Sequence, residues 1–356
     1  MSISLADTPL GRTVAETATD IWNDSCNVDE LGYAVEFGAV GATANPTIVV
    51  DNWRSDPLHW ATRTRVLAGE NPTWSERDLA WGIVAEMSVR AAPLLMPAFA
   101  QSGGRAGRLS IQTDPTLWRD ASALVDQAVA FDGLAPNVVV KLPATRAGIA
   151  AMEEATYRGV SINATVSFSV AQALAAADAV ERGLERRDAE NRDTTRMGPV
   201  ITIMMGRLED WLRSAADEDG ITVHPEALPW AGVAVVKRAY AEWAARGFRA
   251  RLLAAAIRHH LHWSELIGGD LVITLPPVWQ RRFNASSVEV RPRIDDPVDP
   301  EWIAELQTLP DFVHAYEPDG LALEELDAWG PTRRTLRAFI GSYHDLLHLV
   351  TEAQLG

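Results

Sequence analysis

The stretch NVVVKLPAT, residues 137–145, is a short apolar run that one lysine interrupts, Lys141. A continuously apolar run is typical of a parallel strand whose two faces are both covered, whereas a half-solvated strand alternates apolar and polar residues. Pro143 then ends the strand, because proline cannot donate to a sheet ladder. Seven further runs of similar character predict seven more strands: 19–23, 39–43, 108–112, 159–163, 199–204, 251–255 and 269–274.

Helical segments alternate with these runs. Residues 167–187 and 232–246 are amphipathic or alanine-rich, and the long interval 51–106 predicts additional helices. Eight strands alternating with helices predict an α/β fold, a single (β/α)8 TIM barrel domain over residues 1–356, with a C-terminal helical extension from about 320. The structural alternative is a doubly wound open sheet, which the absence of a GxGxxG motif after the first strand disfavours.

Composition excludes several classes of protein. The chain has 32 basic and 48 acidic residues and a net charge of −16, which argues against nucleic acid or an anionic membrane as a partner. Its one cysteine, Cys26, excludes a disulfide framework, and no Cys/His spacing resembles a zinc site. The N-terminal stretch 1–16 has no signal-peptide pattern, so we expect a cytoplasmic protein. No apolar run approaches the roughly 20 residues of a membrane span.

Lysine is almost absent. Lys141 and Lys237 are the two lysines among 32 basic residues. Arginine replaces lysine as a surface charge, but it cannot serve as an amine nucleophile. Lys141 lies in an apolar strand, where burial should lower its pKa and favour the neutral amine that forms a Schiff base, although a buried lysine can instead pair with a carboxylate for structure. Lys237 lies on a predicted helix beside Arg238 and is expected to be a solvated charge.

Polar side chains follow several of the predicted strands. Asp24 and Asn45 come just after the first and second strands, and Asn163 and Thr165 follow the fifth. Active sites of such barrels lie at the carboxyl ends of the strands, so we expect these groups to surround the Lys141 amine. A carboxylate there could take a hydroxyl proton during cleavage of a C–C bond. Together these residues predict the site of a class I, Schiff-base aldolase.

These stretches resemble the transaldolase family. GATANPTIV (41–49) is similar to its G-x-T-T-N-P-[ST]-I signature, and VVVKLPATRAG (138–148) to its lysine signature. GVSINATVSFSVAQALAAADA (159–179), GRLEDW (206–211) and AAIRHH (255–260) resemble its later segments. The similarities follow the family order over about residues 20–280, and the stretch beyond 280 matches no family segment.

The resemblance implies a role for each residue. Lys141 would form the Schiff base, and Asp24 would take the C4 hydroxyl proton of a ketose. Thr165 would position the catalytic water. Substrate contacts would come from Thr43, Asn45, Asn163, Thr202, Arg207 and Arg258, of which the two arginines would hold a sugar phosphate. Either arginine could instead form a structural salt bridge. No metal or other cofactor is expected, because the protonated imine is itself the electron sink.

Four positions depart from the family pattern. Gln112 stands where transaldolases have a glutamate that works through the catalytic water, and glutamine is what the fructose-6-phosphate aldolase branch carries. Met204 replaces an aromatic residue, Ala256 replaces a serine, and Ala44 replaces the second threonine of T-T-N-P. A neutral amide orients a water molecule but cannot accept its proton, so direct aldol cleavage becomes an alternative to transfer.

Three functions therefore stay open. The first is a transaldolase-like transfer of a dihydroxyacetone unit between sugars or sugar phosphates, as in the pentose phosphate pathway. The second is aldol cleavage and addition, or transfer on an unusual sugar in specialised metabolism. The third is a barrel that binds a sugar without turnover. In each case the partners are small molecules, and a homodimer is compatible with the family.

Overall fold

Eight parallel strands close into a barrel in a computed structural model that describes residues 4–356. Each strand pairs with the next in chain order, and the last pairs with the first. The closed barrel confirms the predicted (β/α)8 fold and excludes the open doubly wound sheet. The strands are β1 Asp20–Asn23, β2 Gly41–Thr43, β3 Arg108–Gln112, β4 Val138–Pro143, β5 Ile162–Thr165, β6 Val200–Met204, β7 Arg251–Ala255 and β8 Val272–Leu275.

Every predicted run overlaps one strand, but some strand ends differ. β5 begins at Ile162, three residues later than predicted, because Gly159 ends the preceding helix. Gly159 has a φ of +105°, in the left-handed region that favours glycine. Residues 159–161 therefore turn into the strand and are not part of it. β8 also begins three residues later than the predicted run.

Successive residues of each strand face opposite sides of the barrel wall. Residues such as Val138, Val140 and Leu142 belong to the large apolar cluster under the surrounding helices. A second apolar cluster fills the barrel interior: Trp22, Val139, Val200, Leu253, Ala255 and Val272. Lys141 has the same parity as Val139, so its side chain also faces the interior, one step nearer the carboxyl ends of the strands.

Charged residues close the amino end of the barrel. Arg251 Nη1 lies 2.5 Å from Asp20 Oδ2, and Arg251 Nε lies 3.0 Å from Asp270 Oδ1. Arg108 donates from Nε to the carbonyl of Gly104 at 2.6 Å. The amino end of the barrel interior is therefore closed. A substrate would reach the polar side chains near Lys141 from the carboxyl end.

Fifteen α-helices lie in residues 4–356, and they include the helices that the sequence predicted. The segments 167–187 and 232–246 correspond to α8 and α10, and the interval 51–106 contains α4, α5 and the second half of α3. The N-terminal stretch begins outside the described residues, since Met1–Ile3 are not among them, and continues into α1. The helices are α1 Pro9–Glu16, α2 Val28–Glu36, α3 Pro46–Ser55, α4 Pro57–Glu70, α5 Glu76–Gln101, α6 Ala121–Asp132, α7 Arg146–Arg158, α8 Val170–Ala189, α9 Met205–Asp219, α10 Ala231–Arg246, α11 Leu261–Ser264, α12 Pro277–Asn284, α13 Pro300–Leu306, α14 Pro310–Tyr316 and α15 Gly330–Leu355.

One helix corrects the expectation that no segment has the length and composition of a membrane span. By those two criteria alone, α5 is long and apolar enough to cross a membrane. Its side chains Leu79, Ile83, Met87 and Leu95 are buried in the large apolar cluster, and the helix packs against β3. Its apolar composition is therefore accounted for by packing inside the fold.

The C-terminal helix α15 lies across the carboxyl end of the barrel, as its amphipathic sequence suggested. It packs against α3, α4, α5 and α9. Thr47 and Ser342 share a hydrogen bond of 2.9 Å between their hydroxyl oxygens, and Gln172 Nε2 donates to Thr332 Oγ1 at 3.3 Å. Helix α15 thereby supplies residues that lie above the barrel interior.

Candidate active site

Lys141 lies near the carboxyl end of β4, in register with Gln112 on β3 and Asn163 on β5. The side chain is buried, and Nζ donates to the carbonyl of Ala44 at 3.1 Å. Burial lowers the pKa of Lys141 to about 8; the negative charge of Asp24 opposes this shift and Arg207 adds to it. The neutral amine that a Schiff base requires is therefore accessible near physiological pH.

Asp24 follows β1 and belongs to the same cluster. Its Oδ1 accepts a hydrogen bond of 2.5 Å from Thr43 Oγ1, which also lies 2.8 Å from Thr274 Oγ1. Burial raises the pKa of Asp24, whereas Lys141, the Thr43 hydrogen bond and Arg207 each lower it. The net upward shift suits a carboxyl group that takes and returns a proton.

A chain of three polar side chains crosses the interior beside Lys141. Thr202 Oγ1 donates to Asn163 Oδ1 at 2.7 Å, and Asn163 Nδ2 donates to Ser110 Oγ at 2.9 Å. All three side chains are buried. These two hydrogen bonds fix the orientation of the Asn163 amide and therefore the direction of its second N–H group. Sequence reasoning did not single out Ser110, although its parity on β3 matches that of Gln112.

Asn45 has a structural role that the sequence prediction did not include. Its Oδ1 accepts from the backbone N–H of Ile48 at 3.1 Å and so caps α3. An N-terminal cap of this kind stabilises a helix by about 1 kcal/mol. Because the cap uses the oxygen, the Nδ2 group is the part of Asn45 that remains to donate to a substrate hydroxyl.

Gln112 and Thr165 flank Lys141 on the neighbouring strands. Gln112 is buried, and its Oε1 has no hydrogen-bond partner within residues 4–356. Thr165 Oγ1 is 4.0 Å from the sulfur of Met204, so the methionine occupies space beside the threonine without a strong polar contact. The next residue, Val166, has a φ of +53°, which is strained for a β-branched side chain. Such backbone strain is frequent at functional sites.

The two predicted phosphate-binding arginines differ in their surroundings. The guanidinium of Arg207 lies 5.0 Å from the centre of the Phe339 ring of α15 and has no carboxylate within 4.0 Å in the described part of the chain. Arg258 is exposed and paired with Asp210 at 2.8 Å. Arg207 is thus a free cation close to Asp24 and Lys141, whereas Arg258 makes the salt bridge that the sequence left open as an alternative.

Gly206 permits the close approach that places these two arginines together. A Cβ at this position would lie 2.0 Å from the carbonyl oxygen of Ala256 and 2.5 Å from Cγ of Arg258. Ala256 itself has a φ of +63° directly after β7. Glycine at 206 is therefore required for α9 to begin against the loop that carries Arg258.

A largely buried cluster of Glu209, His259 and His262 lies next to Arg258. The sequence analysis did not predict this cluster. Glu209 accepts from His262 Nε2 at 2.7 Å, and its other oxygen lies 3.1 Å from His259 Nε2. Burial alone would raise the pKa of Glu209, but the two histidines outweigh it and the net shift is downward. The signal was weak, because Glu209 lies about 50 positions before the two histidines.

These three groups lie within 4.8 Å of one another and so resemble a metal site. However, His262 Nδ1 accepts the backbone N–H of Arg258 at 3.2 Å, which places the ring proton on Nε2. A protonated Nε2 donates to Glu209 and cannot coordinate a cation. The cluster is therefore a hydrogen-bonded anchor for the loop that carries Arg258.

Lys237 corrects the prediction of a solvated charge. Its side chain is only 9% exposed. Nζ donates to the carbonyls of Arg293 and Asp296, both at 2.7 Å, and to Glu265 at 3.3 Å. Helix periodicity places Lys237 beside Arg238 on α10, but it does not show that the segment 290–296 folds over it. Lys237 is a structural cation that holds this segment against α10.

The barrel brings most of the predicted residues together at one end. Half-buried Asp24 and buried side chains from separate strands surround the Lys141 amine: Thr43, Gln112, Asn163, Thr165 and Thr202. Asn45 and Arg207 lie at the edge of this group, and Arg258 lies at the rim. A cleft of about 300 Å³ beside Asp24 is lined by Glu30 and Asp51, so an anionic group of a substrate is better placed toward Arg207. The arrangement provides an amine nucleophile, a carboxyl group and oriented amides at the carboxyl end of the barrel.

Comparisons with known proteins agree with this arrangement. A transaldolase from Thiobacillus denitrificans is 31% identical over 293 residues, which cover 74% of this chain and 81% of that protein. A transaldolase from Neisseria meningitidis is 29% identical over 278 residues, 71% of this chain and 76% of that protein. Transaldolase 2 of Nostoc is 28% identical over 301 residues, 74% of this chain and 78% of that protein.

The family comparison covers most of the chain, including β1 from Ile21, the seven other strands and every predicted site residue. Residues 21–328 match the family described as Transaldolase/Fructose-6-phosphate aldolase. The chain therefore belongs to the transaldolase/fructose-6-phosphate aldolase family of enzymes.

Proposed function

We propose that the protein transfers a dihydroxyacetone unit from a ketose or ketose phosphate to an aldose acceptor through a Schiff base on Lys141. The observation that carries the proposal is the buried Lys141 amine, whose pKa is about 8, beside the half-buried carboxyl group of Asp24. A lysine with this lowered pKa has a substantial neutral fraction near physiological pH that can attack a ketone, and an adjacent carboxylate accepts the proton that C–C cleavage releases.

In the proposed reaction, Lys141 Nζ adds to C2 of the ketose, and loss of water gives a protonated imine. Asp24 then takes the proton of the C4 hydroxyl as the C3–C4 bond breaks. The electron pair of that bond moves into the imine, which leaves an enamine on Lys141 and releases an aldehyde. In the second half, C3 of the enamine attacks the acceptor aldehyde, Asp24 returns the proton, and water hydrolyses the new imine.

The remaining side chains hold the substrate in this proposal. The Asn163 amide, which Thr202 and Ser110 orient, would bind hydroxyls of the dihydroxyacetone unit together with Nδ2 of Asn45. Arg207 would receive a phosphate, since it has a free guanidinium near the amine. Arg258 would assist only if the anion competes with Asp210, because the two are already paired.

Borohydride trapping tests the proposal directly. Reduction in the presence of fructose 6-phosphate should convert the imine into a stable secondary amine on Lys141, which peptide mass spectrometry locates. Lys237 is the internal control, because it is the other lysine of the chain and its amine is occupied by two carbonyls and a carboxylate. An adduct on Lys237 but not on Lys141, or none at all with a ketose that the protein turns over, would overturn the proposal.

Direct aldol cleavage that releases dihydroxyacetone is the second candidate function. It is favoured by Gln112, whose amide oxygen is buried and unpartnered within residues 4–356. An amide there can orient a water molecule toward the imine, but it cannot take the proton of that water as a carboxylate does. The fate of the enamine, transfer or protonation and release, then depends on how fast the acceptor arrives.

We expect Gln112→Glu to change the ratio of transfer to release. The carboxylate would act as a base for the water at the imine carbon, and the effect of such a base is about 10²-fold or more. The measurement is the yield of free dihydroxyacetone and of transfer product with one donor and one acceptor. Gln354→Glu, the same neutral-to-acidic change at an exposed amide outside the site, is the matched control. An unchanged ratio in Gln112→Glu would remove the support for this candidate.

Several expectations stay predictions. These are the organisation of residues 1–356 as one domain, a cytoplasmic location and a homodimer. The possibility of a sugar-binding barrel without turnover is tested by whether the wild type turns over any ketose.

A further inference from the structure

We propose that a cavity on the outer flank of α15 is a second binding site, specific for a small phosphorylated molecule. The cavity has a volume of about 440 Å³. We call it the arginine pocket, and its principal lining residues are Trp118, Arg119, Arg333, Leu336, Arg337 and Ile340. This inference is independent of the proposed function, because none of these residues takes part in the reaction above.

The pocket lies at the rim of the barrel, where the loops that follow β3 and β4 meet α15. Trp118 comes from the loop after β3, and its carbonyl accepts a hydrogen bond of 2.8 Å from Thr145 Oγ1. Asp327, just before α15, accepts from the backbone N–H of Arg146 at 2.8 Å. These contacts hold the two loops in place on one side of the cavity.

Three arginine side chains line the cavity, and none of them forms a salt bridge within residues 4–356. Arg119, Arg333 and Arg337 are exposed, and none has a carboxylate within 4.0 Å among residues 4–356. Several other exposed arginines of this acidic chain are paired. For example, Arg158 contacts Glu154 at 3.0 Å, and Arg249 contacts Glu181 at 2.7 Å. Exposed arginines such as Arg213 and Arg281 also lack a carboxylate within 4.0 Å among residues 4–356, so the distinguishing feature is that three such cations line one cavity in a chain with a net charge of −16.

The spacing of two of these arginines has an electrostatic cost. Arg333 and Arg337 are four residues apart on α15, and like charges at this spacing destabilise a helix. The carboxylate of Asp327 also lines the cavity, but one of its oxygens is engaged by the Arg146 backbone and the cavity keeps an excess of two positive charges. A bound dianion would offset that excess.

The walls of the cavity indicate the class of ligand. Trp118, Leu336 and Ile340 provide apolar surface between the cations, and Arg119 stacks on the Trp118 ring at 4.1 Å. Guanidinium groups bind phosphate through two parallel hydrogen bonds, and the excess of two positive charges favours a phosphate dianion over a halide or a single carboxylate. The volume suits a small organic phosphate and is far too small for a nucleic acid or a folded protein.

The arginine pocket is distinct from the active site, because α15 lies between the two. Phe339 of α15 faces Arg207 on the inner side, whereas Arg333 and Arg337 lie on the exposed flank. A ligand in the pocket would link α15 to the loop after β3. Binding there should therefore stabilise the packing of α15 on the barrel and raise the unfolding temperature.

Titration calorimetry of the full chain with inorganic pyrophosphate, at low salt, tests the inference. The wild type should bind, and Arg333→Gln/Arg337→Gln should lose about tenfold or more in affinity, since each lost charged hydrogen bond is worth at least that factor. Arg213→Gln is the matched control, because Arg213 is an exposed arginine outside the pocket. Pyrophosphate should also raise the unfolding temperature of the wild type and of the control more than that of the double variant.

A third variant separates the pocket from the active site. Arg207→Gln should retain pyrophosphate binding if the pocket is the site. Loss of binding in Arg207→Gln with full binding in the double variant would assign the anion to the active site and overturn the inference. Absence of binding in the wild type, or equal affinity in the double variant and Arg213→Gln, would also overturn it.

Discussion

Lys141→Met is expected to lower kcat/KM for transfer on the order of 10⁴-fold or more, because methionine preserves the volume of the side chain and removes the nucleophile. No other amine can substitute for it. Lys237 is fixed by the carbonyls of Arg293 and Asp296 at the outer face of α10. The measurement is formation of transfer product from fructose 6-phosphate and an aldose phosphate acceptor, followed by chromatography.

The matched control is Lys237→Arg, which keeps the charge of the other lysine and should keep the activity. Circular dichroism should show that both variants are folded, since Lys141 makes one hydrogen bond and its loss leaves the rest of the barrel interior in place. If Lys141→Met retained carbonyl turnover, the Schiff-base reading would be wrong. If the wild type shows no turnover with any ketose, the sugar-binding barrel is the better description.

Asp24→Asn is expected to lower kcat for C–C cleavage by about 10²- to 10⁴-fold while leaving imine formation intact. Asparagine retains the shape of the side chain and its hydrogen bond from Thr43, but it cannot accept the C4 hydroxyl proton. The borohydride adduct on Lys141 should therefore still form from the donor ketose. The two readouts separate the residue that forms the imine from the residue that breaks the bond.

The pH dependence of trapping gives a second test of Asp24→Asn. Imine formation needs the neutral amine, so in the wild type its rate should rise as pH increases through about 8, the pKa of Lys141. The negative charge of Asp24 raises that pKa, and its removal should allow the pKa to fall. The rise should then move to lower pH in Asp24→Asn. A midpoint that stays in place or moves to higher pH would show that the two groups do not interact.

Much of the fold could be predicted because parallel barrel strands have a simple sequence signature. Strands covered on both faces are continuously apolar, and all eight predicted runs overlap a strand. Their ends were less certain, as at 159–161, where the left-handed Gly159 delays β5. The apolar helix α5 shows the converse limit, since composition alone cannot distinguish a core helix from a membrane span.

The candidate site was predictable where strand periodicity determines which side chains face the barrel interior. The parity of β4 turns Lys141 inward, and strand ends of a closed barrel meet around one axis, so Asp24, Asn163 and Thr165 gather near the amine. Contacts between distant segments could not be predicted in the same way. The pairing of Arg258 with Asp210, the burial of Lys237 and the Glu209 cluster all join residues about 30 to 60 positions apart.

The sequence by itself determined the barrel and the family, and it predicted Lys141 as the lysine that forms an imine. Hydrophobic periodicity and short motifs are local properties of the sequence, so they can be identified without knowing how distant segments pack. Only the tertiary structure decided which charges are free and which are compensated. It left Arg207 unpaired beside Asp24, paired Arg258 with Asp210, occupied Lys237 with backbone carbonyls and gathered three uncompensated arginines on the flank of α15. The physical reason is that the reactivity of a charged group depends on its burial and on its nearest partners, and both are set by the folding of distant segments against one another.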